Sequence, residues 1–467
     1  MTHRRFLPLN LQKWLASPAL RWDRAFTRKL IYVALPIIIQ NLVTASLHII
    51  DGLMLSQLPG DAPYAGVTQV NRYTFVFQLF VYGIASGSSI YMSQYYGSGQ
   101  MKKMRTVLGL ALRIGLVVTL VFAGLAVFAP HFVVGLFLTP GESFNYGVNY
   151  LRIVGVGYLF TAIDSAYAAC LKSGQRTVIP MAAGVTAIVI NTVLNYGLIF
   201  GRLGLPQLGV EGAAIATVIA GAVAMAINMG YAYIKKLPAG APLKDMRLPD
   251  RAYLGSFLKT VLPVVANEGI WAMGMAMYSI FYGRLGDQAV AAVGIYNTVD
   301  ELVFVAIYGV MNACAILVGA ALGAEDKDQA YLIAKRMLIF STGMGLVLGA
   351  LLLLTRYPLV SIFQLSSEGQ EMAQKLLFIS ALFLWARSLN SINIVGVLRA
   401  GGDTVYSTVL DCLSVWCFGV PLVGLAALVF KWPIEYVFLC SMMEEAVKSV
   451  VGLPRFKTRK WMHVLSR

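Results

Sequence analysis

Twelve stretches of this chain are apolar over more residues than a helix needs to cross a lipid bilayer. They run roughly over 30–57, 66–95, 106–128, 147–171, 177–201, 211–234, 254–284, 288–322, 331–354, 371–398, 404–430 and 433–453. A transmembrane helix requires ~20 apolar residues, so twelve of them occupy ~240 positions. In hydrocarbon every backbone polar group must be satisfied internally, which leaves helices or a closed barrel. Stretches this long are helices, and several must tilt or project beyond the bilayer. The chain therefore reads as an all-α integral membrane protein with twelve transmembrane helices. Charged residues make up 13% of its 467 positions, about half the ~25% of an ordinary soluble domain. That share excludes a soluble enzyme, a disordered chain and a disulfide-stapled secreted domain.

The formal net charge is +15, and its placement separates a nucleic-acid partner from a membrane topology. With the first helix entering from the cytoplasm, 26 of the 37 Lys and Arg residues fall in predicted cytoplasmic segments and 4 (Arg202, Arg284, Arg356, Lys431) in outer loops. This is the positive-inside bias of a multi-pass protein, and no nucleic-acid partner is needed to explain the charge. Both termini are then expected inside. Residues 1–29 read as a basic interfacial leader on the cytoplasmic face rather than a cleavable signal peptide. The Pro-containing, charged segment 235–253 reads as a cytoplasmic linker between an N-lobe (30–234, six helices) and a C-lobe (254–453, six helices). Residues 454–467 read as a basic cytoplasmic tail.

The halves repeat. A shift of 226 or 227 residues lays Leu35-Pro36 on Leu262-Pro263, Gly60-Asp61 on Gly286-Asp287 and Asn71 on Asn297. The same shift lays Tyr82-Gly83 on Tyr308-Gly309, Gly97 on Gly323, and Leu171, Gly174 and Thr177 on Leu398, Gly401 and Thr404. Six helices per half is an even number, so both halves insert the same way round. They are predicted to be two lobes related by a pseudo-two-fold along the membrane normal, with a cleft for substrate between them.

Several segments, in this order, resemble the multidrug and toxic compound extrusion (MATE) family. They are LPIIIQNLVTASLHIIDGLMLSQLPG in the first helix, LKSGQRT ending the fourth, INTVLNYGLIFG ending the fifth, GVEGAAIATVIA opening the sixth and GVLRAGGDT ending the tenth. The resemblance covers residues 28–452. The segment LPVVANEGIWAMGMAMYSIFYGRLG is similar to bacterial DinF-type and NorM-type members rather than eukaryotic ones. The resemblance implies an antiporter that exchanges protons or sodium ions for organic, often cationic, compounds by alternating access. No cofactor is implied beyond the coupling ion. The expected setting is a bacterial inner membrane, with a monomer as the functional unit.

A charge at mid-bilayer costs about 2.5–3.5 kcal/mol on insertion scales, so intramembrane carboxylates mark candidate sites. Asp51 lies six residues, or ~9 Å at 1.5 Å per residue, from the outer end of the first helix. Asn195 in the fifth and Thr217 in the sixth lie at similar depth, with Asn191 one turn from Asn195 on the same face. Together they form an oxygen-rich site for a sodium ion or an exchangeable proton. The resemblance implies the same residues: its first-helix acidic residue falls at Asp51, fifteen positions after the helix-bending Pro36, and its partners at Asn191, Asn195 and Thr217. DinF-type relatives usually carry an aspartate where this chain has Asn195, which removes one negative charge and leaves Asp51 to act alone.

In the second half, Glu268, Asp300, Glu301 and Arg387 are candidate cation or substrate residues. A salt-bridged structural network around Arg387 is the alternative. Asp164 and Asp411 are expected to pair with Arg113 or helix ends. His48, one turn before Asp51, is either a proton shuttle or a packing residue. Cys170, Cys314, Cys412, Cys417 and Cys440 form no CxxC pair and read as small apolar residues, and four histidines without ligand spacing suggest no metal centre. The RAGGDT turn (399–404) has neither a preceding strand nor a following GK[ST], so it is a helix–helix turn rather than a phosphate loop. The sequence contains no ATPase motif. A second function stays open, a flippase for lipid-linked saccharides, which would call for a strongly cationic cleft.

Overall fold

The computed structural model describes residues 23–466 apart from Ala241 and Gln364, so most of the leader lies outside the described residues. Twelve long helices follow one another: α1 (Arg24–Leu55), α2 (Ala62–Gly97), α3 (Met101–Phe128), α4 (Glu142–Ser173), α5 (Val178–Phe200) and α6 (Gly209–Ile234). After the linker come α7 (Arg251–Gly283), α8 (Asp287–Gly323), α9 (Lys327–Ser361), α10 (Ser367–Arg399), α11 (Thr404–Val429) and α12 (Ile434–Lys457). Ten of them contain a window long and apolar enough to cross a membrane. The other two, α7 and α12, carry charged side chains inside the bundle (half-buried Glu268; buried Glu444 and Lys448) that dilute their hydropathy. Most of the helices overrun the expected segments by several residues, because backbone hydrogen bonding continues into polar turns after hydropathy has fallen. The 37 residues of α8 span ~55 Å, well beyond the ~30 Å hydrocarbon core.

The two lobes meet along α1, α2, α7 and α8, and repeat-related residues carry the seam. A Cβ on Gly83 of α2 would press on the Val265 backbone of α7, and a Cβ on Gly309 of α8 would press on Ile38 of α1. Gly83 and Gly309 are repeat mates, as are Ile38 and Val265, so the contacts obey the pseudo-two-fold. Small residues at these crossings let the backbones approach closely. On the outside, α3 presents Val117, Leu120 and Val121 and α9 presents Leu346, Val347 and Leu351, all exposed. Apolar surface of that extent belongs against lipid.

The lobes close on each other at the linker end. Hydrogen bonds across the seam are made there. Tyr91 of α2 reaches the Thr260 hydroxyl at 3.2 Å and donates to the Ser256 carbonyl at 3.2 Å, both on α7. Gln94 of α2 donates to the His463 carbonyl and accepts from the Leu465 N–H, and Gln100 donates to the Ser466 carbonyl.

Linker and tail are more structured than their polarity suggests. The linker turn Leu243–Met246 docks on α3, where Arg105 pairs with Asp245 at 2.8 Å and Gly109 lets the Met246 backbone approach. The tail folds back under the C-lobe, with Trp461 fully buried. A short helix, Pro130–Gly135, lies between α3 and α4. Its six residues are too few to register in hydropathy.

Candidate functional site

The first-lobe constellation assembles as the depth argument anticipates. Asn195 Nδ2 of α5 donates to Asp51 Oδ1 of α1 at 2.7 Å and to Asn191 Oδ1 at 3.0 Å. Asn191 in turn reaches the Thr217 hydroxyl of α6 at 3.4 Å. Asn191 and Asn195 are buried. Close approach of α5 and α6 allows this, since a Cβ on Gly212 of α6 would run into the Leu198 backbone of α5. The Asn191 carboxamide oxygen that accepts from Asn195 also lies 3.0 Å from Asp51 Oδ1; turned over, the carboxamide donates to an ionised Asp51 and gives up its bond from Asn195 Nδ2. An Asn191 oxygen turned toward Asp51 would instead require a proton on the carboxyl. Asn195 Oδ1 is buried without a hydrogen-bond partner. The Tyr150 phenol of α4 closes the group beside Thr217 and Asp51. Sequence reasoning missed Tyr150, one tyrosine among 23. The side chain of His48 lies outside the described residues.

Pro36 sits inside α1, where its ring deprives the Tyr32 carbonyl of a helical partner. The Thr177 hydroxyl, at the turn into α5, donates to that carbonyl at 3.2 Å. The last residue of the LKSGQRT segment is thereby tied to the Pro36 turn of α1, which precedes Asp51.

The second-lobe candidates do not form one group. Arg387 of α10 grips Asp300 of α8 through both guanidinium ends, with Nη2 at 3.0 Å from Oδ2, and lies over the Phe304 ring at 4.4 Å. Glu268 of α7 pairs instead with Arg399 at 2.8 Å, against Gly83 at the lobe seam. Glu301 is exposed and forms no ion pair among the described residues. Arg399, counted from sequence as a cytoplasmic charge, is buried at the end of α10.

Two expectations fail. Asp164 accepts from Asn228 of α6 at 2.7 Å, whereas Arg113 bonds the Gly109 carbonyl of its own helix. Asp411 pairs with Lys448 of α12 at 3.0 Å and accepts from Asn267 of α7 at 3.1 Å. Both carboxylates take their hydrogen bonds from a neighbouring helix, while Lys172 in the last turn of α4 lies within electrostatic reach of Asp164. Lys448, Glu444 and Glu445 were missed. Three charges within five residues of an otherwise apolar helix were the available signal.

The comparisons with known proteins agree with this architecture. The MatE family model matches residues 36–197 and again 263–425, two copies offset by the internal repeat. The chain is 24% identical over 448 residues to an uncharacterized transporter of Bacillus subtilis, YisQ, covering 96% of this chain and 97% of that one. It is 22% identical over 434 residues to a probable multidrug resistance protein NorM of Thermotoga maritima, with 93% of each covered. The crystal structure of the Vibrio cholerae MATE transporter VcmN in the bent form superposes with a TM-score of 0.84 at 19% identity, covering 93% of this chain and 97% of that one. With two family matches that together span most of its length, the chain belongs to the MatE family of membrane transporters.

Proposed function

We propose that this chain is a cation-coupled antiporter of a bacterial cytoplasmic membrane, exporting small organic compounds of cationic or amphipathic character by alternating access. Relatives named as multidrug resistance proteins support the substrate class. The positive-inside bias supports an orientation with linker and termini in the cytoplasm.

The observation that carries the reading is the Asp51–Asn195 hydrogen bond of 2.7 Å, made by a helix that holds a proline, Pro36, fifteen residues before Asp51. Ionised Asp51 takes N–H groups from both asparagines. On binding a proton it gives its O–H to Asn191, whose carboxamide turns to present oxygen. A sodium ion would draw on the same oxygens, with Asn195 Oδ1 and the Thr217 hydroxyl. Either event neutralises the carboxylate and loosens α1 from α5, and Pro36 lets α1 repack and bias the lobes toward substrate release. One charge moving down 100 mV releases about 2.3 kcal/mol, enough for roughly fiftyfold uphill export.

The C-lobe cations among the described residues do not favour the flippase reading. Arg387, Arg399 and Lys448 are each neutralised by a carboxylate, so they do not make a cationic cleft for an anionic lipid-linked substrate. The test is export of cationic dyes by Asp51→Asn, with expression matched, in proteoliposomes under imposed pH or sodium gradients. Gradient-driven export should fall to background. Wild-type export by this variant would overturn the assignment.

A further inference from the structure

The densest group of ionisable side chains among the described residues lies away from Asp51, where α10, α11 and α12 meet. The Lys448 ammonium stands 3.0 Å from Asp411 Oδ1, 3.2 Å from Glu444 Oε1 and 3.7 Å from Glu445 Oε1. One cation serves three carboxylates. The surrounding elements do not make up the difference. From α7 come the Tyr278 phenol, which donates to Glu444 Oε2 at 2.6 Å, and Tyr282, bonded to Ser441. From α11 comes Cys412 beside Asp411, its thiol on Asn267 at 3.5 Å. From α10 come Arg387 and Arg399, each already held by its own acid, Asp300 and Glu268. Across the region, five carboxylates face three cations.

Two uncompensated carboxylates are too costly to keep ionised inside a bilayer, so the cluster must hold bound positive charge. The donors already in place indicate which kind. Lys448, Tyr278, Asn390 (2.8 Å from Glu445 Oε2) and Asn267 aim N–H or O–H groups at the carboxylates. A metal ion would have to displace them and sit beside an ammonium. A proton needs neither.

A second observation marks the same seam. Asn393 of α10 is wholly buried, and both ends of its carboxamide lack a hydrogen-bond partner. It lies one turn from Asn390, the residue that holds Glu445, and points at Gly452, one turn beyond Lys448 on α12. It belongs to a stretch of α10, Ile392–Arg399, wound as a π-helix, a form that occurs frequently at functional sites. An unpaired buried amide on that line leaves one acceptor and one donor group free to hold a proton-carrying water between the cluster and the linker end.

We propose that Asp411, Glu444 and Glu445 around Lys448 form a second ion-binding site, selective for the proton, in which an incoming proton converts one carboxylate to a carboxylic acid and leaves toward the linker end past Asn393. The Lys448–Asp411 pair lies beside Arg399, and Arg399 holds Glu268 against Gly83 of the other lobe. Occupancy of the site therefore bears on the lobe seam. The site does not depend on the role assigned to Asp51.

The test is pH-jump infrared difference spectroscopy of the full chain in lipid nanodiscs, in an Asp51→Asn/Asp164→Asn background so that the buried first-lobe carboxyls are silent. Two double variants separate charge excess from mere disruption. Glu444→Gln/Glu445→Gln removes the excess and should abolish a protonated-carboxyl band. Lys448→Gln/Asp411→Asn removes one charge of each sign and should keep it, and sodium at fixed pH should not change it. No protonated-carboxyl band in the parent, a band of unchanged intensity in the first variant, a band missing from the folded second variant, or a band abolished by sodium would each overturn the proposal.

Discussion

Gly97 at the end of α2 and Gly323 at the end of α8 are repeat mates, and each faces the backbone of the other's helix. A Cβ on Gly97 would collide with the Ala320 carbonyl, and a Cβ on Gly323 with the Gln94 carbonyl. Gln94 and Ala320 are themselves related by the same shift. The pseudo-two-fold axis therefore passes between these turns, where α2 and α8 lie in backbone contact.

That contact predicts a conformational bias. Gly97→Leu or Gly323→Leu forces the linker end apart. Overpacking of this kind costs about 1–3 kcal/mol, a population change of roughly five- to 150-fold at ~1.4 kcal/mol per factor of ten. Labels placed on the linker-end turns of the two lobes should report longer distances by double electron–electron resonance. An unchanged distance distribution in either variant would show that this crossing does not hold the closed end.

The Thr177–Tyr32 bond predicts a stability effect tied to the Pro36 turn. Thr177→Val keeps the shape of the side chain and leaves the Tyr32 carbonyl with neither a helical nor a hydroxyl donor. An orphaned carbonyl costs about 1–3 kcal/mol, to be read as a lower thermal midpoint in detergent. Thr177→Ser should restore it. If Val and Ser behave alike, the hydroxyl does not support that turn.

How much of this was legible in the sequence follows from the physics of each feature. The helices were, because hydrocarbon demands long apolar runs. The repeat was, because Gly97, Gly323, Gly83 and Gly309 are held at crossings where no other residue fits. The Asp51, Asn195 and Thr217 grouping was, because helix rise converts residue count into depth. The partners of Glu268 and Asp411 were not. Depth alone does not say which of Arg387, Arg399 and Lys448 a carboxylate meets, since that depends on helix rotation and on the π-helical turn of α10. The folded tail was hidden too, because 458–466 is polar on average and a single Trp461 anchors it.

The Arg387–Asp300 pair offers a clean separation of structural from binding roles. Both side chains are largely buried. Removing one partner strands the other, as in Arg387→Met, and should cost about 3 kcal/mol, the lower end of the range for buried pairs because some solvent reaches them. Arg387→Met/Asp300→Leu should regain most of that stability, since a buried pair replaced by apolar groups is often neutral. A double variant that folds and exports at the wild-type rate assigns the pair to scaffolding. One that folds as wild type and loses export assigns it to the substrate or ion path.

The tail makes the last prediction. Trp461 packs under the α10–α11 turn, where a Cβ on Gly401 would strike its ring, and its indole N–H donates to the Phe456 carbonyl at 3.0 Å. This anchor holds the following residues against Gln94 and Gln100 of the other lobe. Trp461→Ala should cost about 3–5 kcal/mol of local stability and release those bonds together, exposing the linker-end seam. Gln94→Ala/Gln100→Ala should release the same bonds while Trp461 stays buried. Both variants should then raise the labelling rate of a cysteine placed at Ser93, which is buried and faces Gly319 across the seam. If only Trp461→Ala raises it, the tail acts through packing on its own lobe; if both do, the glutamine bonds join the lobes.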